Sequence, residues 1–245
     1  MTMTDTAFSS NMGAEASAVR LDCGTSTLCG FSCTRCSFIN NSIDSNSAYN
    51  ATAGSLLVIA AQNTLTLSLT SSTFNDNDGA GLSVNTMAGT VTLSSCSFLA
   101  HRALVGGLQP LFVAGASSVL LADSVWQGNM LGAMALSQTQ TSVALSRCSI
   151  SDNLPNPTTL DTVDILMADQ SPSTVNIIDC AISNNSGYAF NAGTVYYAAG
   201  AVNIQSSSSP PSVSSIVIFI ANSSFVANYG FLMPGRYPAS AVLCG

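Results

Sequence analysis

Residues 95–102 read Ser-Cys-Ser-Phe-Leu-Ala-His-Arg (SCSFLAHR) and hold the only histidine of the 245-residue chain. A histidine followed by an arginine invites a catalytic reading, but the stretch is one copy of a repeated element. An aromatic or aliphatic anchor followed three positions later by Asn, or in one copy by His, recurs eight times: at Phe8, Phe38, Phe74, Phe98, Trp126, Ile150, Ile182 and Phe225. The spacings are 30, 36, 24, 28, 24, 32 and 43 residues. A constant local motif with a variable period describes rungs of fixed shape joined by loops of unequal length.

The flanking columns define the rung. Seven positions before the anchor stand Met1, Phe31, Leu67, Val91, Val119, Val143, Val175 and Ile218. Five before stand Met3, Cys33, Leu69, Leu93, Leu121, Leu145, Ile177 and Ile220. The residues between them are more polar, which is the period of two of a strand with one buried face. Positions −4 and −3 break the alternation and predict a bend into a second short strand. After the Asn, a Gly/Ala-rich turn leads to another apolar segment, as in AGLSV at 80–84 or GAMAL at 132–136. Two to three short strands per copy without helices predict an all-β, single-stranded parallel β-helix of about eight rungs over residues 1–245, read as a single domain. Residues 154–161 and 206–215, with their prolines, are expected to leave the ladder as loop excursions.

Composition narrows the function. The chain is 47% hydrophobic and 7% charged, has no lysine, and carries net charge −7. Nucleic-acid binding needs clustered cations that are absent here. No apolar run reaches the roughly 18 residues of a membrane span, so membrane insertion by this segment is not expected. Sequons at Asn40, Asn50, Asn184 and Asn222 are candidate glycosylation sites. The N-terminal MTMTDTAFSS has neither the basic nor the apolar region of a signal peptide. Met1 and Met3 already occupy core columns, so the sequence reads as a segment of a longer chain, with flanking β-helix rungs as its neighbours. Its open core edges are expected to promote self-association.

The repeated FxxN element and its Gly/Ala-rich turns resemble the repeats of polymorphic outer membrane proteins and related surface proteins. Gly106-Gly107-Leu108 is the one near match to that family's companion Gly-Gly motif. The resemblance implies a right-handed, pectin-lyase-like β-helix in an extracellular or cell-surface protein.

Against this frame each candidate residue has a structural reading. Position +3 holds Asn11, Asn41, Asn77, His101, Asn129, Asn153, Asn185 and Asn228. Asparagine tolerates left-handed backbone and imidazole is enriched there, so His101 is expected to replace one rung of an asparagine ladder at a left-handed turn. Position −3 reads Asp5, Arg35, Ser71, Ser95, Asp123, Arg147, Asp179 and Asn222, predicting an exposed ion-pair ladder Asp123–Arg147–Asp179 and a second pair Asp5–Arg35. Cys23, Cys29, Cys33 and Cys36 cluster in one coil. A zinc site is conceivable there, but two of the four fall in inward columns, which favours disulfides in an oxidising compartment. Cys36, Cys96, Cys148 and Cys180 share position −2 as small buried thiols.

An enzyme is not expected, and neither is a cofactor or a metal. A glycoside hydrolase needs carboxylates converging on one bond, whereas Asp76 and Asp152, which share a slot, lie three rungs or roughly 14 Å apart. A polysaccharide lyase or hydrolase is the alternative. Another is a glycan- or ice-surface-binding module that uses the outward hydroxyls Thr2, Thr4, Ser32, Thr34, Ser68, Thr70, Thr92 and Ser94. The expected function is adhesion or display, with a surface glycan or a protein as partner.

Overall fold

The structure is a computed structural model, described here over residues 1–13, 16–24, 27–43, 54–102, 109–130, 132–154, 162–168, 173–187, 201–206, 216–230 and 242–244. Residues 155–161 and 207–215, most of the two expected excursions, lie outside the described residues, as do Asn50 and Gly106–Leu108.

The described residues form parallel strands and no helix. Each rung presents three faces. Face A is built from Thr2–Thr4, Leu28–Thr34, residues 64–70, residues 88–94, Ser118–Ala122, Ser142–Ser146, Ser173–Ile178 and Ile216–Ala221. Face B consists of eight three-residue strands, from Ala7–Ser9 and Ser37–Ile39 to Ala181–Ser183 and Ser224–Val226. Face C runs from Ala16–Asp22 through residues 54–60 and 80–86, Leu111–Ala114, Met134–Thr139, Val163–Met167 and Val202–Ser206 to Val242–Cys244. In the third and fourth rungs faces C and A are one continuous strand, Gly54–Thr70 and Ala80–Ser94.

The register follows the motif. Phe8, Phe38, Phe74, Phe98, Trp126, Ile150, Ile182 and Phe225 pair in sequence along face B. Their aromatic members stack nearly parallel, with ring centroids 5.0, 4.7, 4.7 and 5.4 Å apart from Phe8 to Trp126. These separations are close to the strand spacing, because in-register neighbours have no other place to go. Leu67, Val91, Val119, Val143 and Val175 form a second buried column, and Leu56, Leu82, Leu111, Met134, Val163 and Val202 a third from face C. Each large apolar side chain so buried stabilises by about 1.5–3 kcal/mol at most. The first and last rungs are less covered: Met1 is 68% exposed and Ile220 40%.

Two corners turn the chain, and both are left-handed. Position −3 has φ between 50° and 55° in all eight rungs, from Asp5 to Asn222. Position +2 is also left-handed: Ser10, Asn40, Asp76, Ala100, Gly128, Asp152, Asn184 and Ala227. This corrects the expectation that the +3 asparagines and His101 adopt that conformation. The residue before them makes the turn, and the +3 side chain is thereby aimed inward.

Candidate functional site

The +3 column is a buried hydrogen-bond ladder. In each regular rung the backbone N–H and the Nδ2 of one asparagine donate to the Oδ1 of the next. Asn11 donates to Asn41, Asn41 to Asn77, Asn129 to Asn153, Asn153 to Asn185 and Asn185 to Asn228, all at 2.8–3.1 Å. The same Nδ2 groups also reach back to the anchor carbonyl of the preceding rung, as from Asn153 to Trp126 O at 3.1 Å. A polar column inside an apolar core is tolerable only when satisfied this fully.

His101 takes that place in the fourth rung. It is fully buried, and its backbone N–H donates to Asn129 Oδ1 at 3.0 Å as an asparagine's would. Its Nε2 lies 3.2 Å from Phe74 O, the anchor carbonyl a ladder Nδ2 would use, and its Nδ1 lies 3.3 Å from Gly79 O. Burial pushes the imidazole down to about 4, against the opposing pull of the two carbonyls and Asp76. A neutral ring carries one N–H and donates to one of those carbonyls at a time. Among the described residues no acid or hydroxyl hydrogen-bonds to the ring. The ring is longer than an asparagine side chain, and Gly81 makes room for it: a Cβ at Gly81 would lie 2.7 Å from His101 Cε1 and 2.9 Å from Phe74 Cβ. Sequence reading missed Gly81, although it is the one glycine among its register neighbours Ser55, Pro110, Ala133, Thr162 and Ala201.

The −3 corner carries the charges. Arg147 Nε and Nη2 donate to the two carboxylate oxygens of Asp123 at 2.6 and 2.8 Å. Arg35 grips Asp5 in the same way, at 2.6 and 2.7 Å. In both pairs hydrogen bonds to the guanidinium hold the carboxyl below its ordinary value. Asp179 stands next in the column, but no ion pair within 4.0 Å joins it to Arg147, so the expected three-member ladder reduces to a pair with an acidic neighbour. The reason is geometric: a guanidinium that commits Nε and Nη2 to one carboxylate has turned its fork away from the other rung. Arg102, not assigned by the sequence reading, donates to Asp76 Oδ1 at 2.8 Å and to Asn40 Oδ1 at 3.3 Å. With Arg20 3.5 Å from Asp22, all four described arginines face an aspartate.

The outward hydroxyls of face A stand in register, Thr2–Ser32–Ser68–Thr92 and Thr4–Thr34–Thr70–Ser94. Ser32 Oγ donates to Thr2 Oγ1 at 3.2 Å. A third column, at position −8 of the same alignment, extends them: Thr66, Thr90, Ser118, Ser142 and Thr174. Beyond the fourth rung the first column becomes Leu120, Ala144, Asn176 and Phe219, with Phe219 54% exposed. The sequons Asn40, Asn184 and Asn222 stand exposed at the left-handed corners.

The remaining acid of interest is Asp164 on face C. Asn203 Nδ2 donates to its Oδ1 at 3.2 Å, and Gln205 Nε2 donates to Asn203 Oδ1 at 3.0 Å. Burial pushes Asp164 up to about 6 despite the amide. Among the described residues no three His, Cys, Asp or Glu side chains gather as a metal site. The cysteines of the first coil pair as Cys23–Cys29 and Cys33–Cys36, with Cα atoms 5.8 and 6.0 Å apart.

The family model described as "Right handed beta helix region" matches residues 29–209, well over half of the chain. The protein belongs to this family, and its β-helix is right-handed. No curated protein and no solved structure gives a significant match.

Proposed function

We propose that this β-helix is a non-catalytic repeat segment of an extracellular or cell-surface protein, serving adhesion or the display of a surface. One observation carries the reading: the groups best suited to chemistry are spent on the fold. His101 joins the asparagine ladder through Asn129 and takes up the Phe74 carbonyl, and the described arginines are held by aspartates. The disulfides Cys23–Cys29 and Cys33–Cys36 favour an oxidising compartment. The exposed corner sequons Asn40, Asn184 and Asn222 can carry glycans without blocking a face. The FxxN repeats favour a surface protein of the polymorphic outer membrane type. The partner is a surface glycan or protein, and the hydroxyl columns of face A are the surface offered to it.

The test is incubation with plant, algal and animal polysaccharides, with and without Ca²⁺, followed by co-sedimentation and by assay of new chain ends. Binding without new ends is expected, weakened by Ser68→Arg or Thr92→Arg on the hydroxyl face. Release of new chain ends would overturn the reading and make the protein a lyase or hydrolase.

A further inference from the structure

The −2 column stacks small polar side chains one rung above another. Wherever the next rung offers a hydroxyl, the backbone N–H of one rung donates to it: Cys36 to Ser72 at 3.1 Å, Cys96 to Ser124 at 3.0 Å and Cys180 to Ser223 at 3.0 Å. Cysteine and serine alternate from Cys36 through Ser72, Cys96 and Ser124 to Cys148, and then the alternation fails. Cys148 meets Cys180, the one place in the column where a cysteine follows a cysteine. The register of the flanking strands is unbroken there, with Ser146 paired to Ile178 and Ser149 to Ala181. Cys180 therefore occupies, beside Cys148, the slot in which Ser72, Ser124 and Ser223 present a hydroxyl to the preceding rung. Both side chains are 2% exposed.

We propose that Cys148 and Cys180 close a disulfide that staples the sixth rung to the seventh. In-register parallel strands place their Cα atoms about 4.8 Å apart, inside the roughly 4.4–6.8 Å range of disulfides. The two side chains occupy the same slot of adjacent in-register rungs, so closing the bond requires only that their Cβ atoms move toward one another. Cys96 is excluded, because its neighbours on both sides are Ser72 and Ser124.

The chemistry has a direction. In the reduced rungs the Cys148 thiol donates to Leu121 O and Ser146 O at 3.5 and 3.4 Å. The neighbouring Cys148 favours the thiolate at Cys180, which is held down to about 7, while Cys148 is pushed up. Cys180 thiolate attacks one sulfur of a small-molecule disulfide such as oxidised glutathione, forming a mixed disulfide and releasing one glutathione thiolate. That thiolate takes the Cys148 proton. Cys148 sulfur then attacks Cys180 sulfur and expels the second glutathione as a thiolate, which is protonated from water. Two protein thiols lose two electrons and one glutathione disulfide gains them. Because both sulfurs are buried in the folded rungs, the exchange takes place while rungs six and seven are folding or locally open. The proposal does not depend on the scaffold reading.

The test starts from the reduced chain, refolded in a glutathione redox buffer. The protein is unfolded without reductant, alkylated with iodoacetamide and digested, and the peptides are weighed. A cross-linked peptide joining Cys148 to Cys180, with Cys96 alkylated, is expected. Alkylation of both Cys148 and Cys180, or a bond from either to Cys96, overturns the proposal. A second measurement uses Cys148→Ser, which installs the residue that Ser124 already supplies to the column. In oxidising buffer it should melt on the order of 5–10 °C below the wild-type chain, since a closed loop of this size is lost. In excess reductant that gap should disappear. A gap of the same size in both buffers would mean that the substitution acts through packing, and would overturn the staple.

Discussion

Gly81 and His101 are residues 20 positions apart that touch only because successive rungs stack. The imidazole needs more depth than an asparagine, and the missing Cβ at Gly81 supplies it. Gly81→Ala forces a ring or a backbone to move and should destabilise by about 1–3 kcal/mol. In a His101→Asn background the shorter side chain removes the closest of these clashes and leaves the one with Phe74 Cβ, so the same substitution should cost less, by about 1 kcal/mol. Urea unfolding of the four proteins of this cycle measures the coupling. Equal costs in both backgrounds would show that the imidazole is not what Gly81 accommodates. The role of His101 as a ladder rung was legible in the sequence, because its slot is shared by seven asparagines. The role of Gly81 was not, because nothing in the order of residues says how far a buried ring reaches.

At the scale of the corner and the strand, the columns could be read in advance because a rung repeats its spacing around the anchor. The left-handed turns could not be placed. Aspartate, arginine, serine and asparagine fill position −3, and a pattern without glycine gives no sign of positive φ. The same limit hid the fate of Asp179, since a shared column fixes which rungs are neighbours but not which neighbour a guanidinium selects. Arg147 holds Asp123 at an exposed corner, where solvent screens the pair and keeps its contribution small. Arg147→Asn removes the pair while keeping a side chain that tolerates left-handed backbone. Arg147→Asp adds repulsion from Asp123 and Asp179 on either side. Thermal melts should place Arg147→Asn about 1–3 °C below the native chain and Arg147→Asp lower still, with the gap between the variants closing in about 1 M salt. Identical melts for the two variants at low salt would mean that charge order along this corner has no bearing on stability.

For the molecule as a whole, two titratable groups, the buried His101 and the half-buried Asp164, set opposite pH dependences. His101 has a folded value near 4, below the roughly 6.5 of an unfolded histidine, so unfolding takes up a proton in that window. Its contribution is fully present above pH 6.5 and is lost as pH falls through 4. Asp164 has a folded value near 6, above the roughly 3.9 of an unfolded aspartate, so unfolding releases a proton there. Its contribution is present below about pH 4 and is lost as pH rises through 6. Each swing is on the order of 3 kcal/mol, and between about pH 4 and 6 they oppose. The native chain should therefore show a shallow stability profile across that range, although neither group is indifferent to pH. His101→Asn should uncover stability that falls as pH rises, and Asp164→Asn stability that climbs as pH rises. Urea midpoints at pH 4, 5, 6 and 7 for the three proteins distinguish these slopes. Parallel profiles would mean that the core and face C admit enough water to keep both groups near their ordinary values. The buried ladder and the Asp164–Asn203 pair would then be hydrated features rather than dry ones.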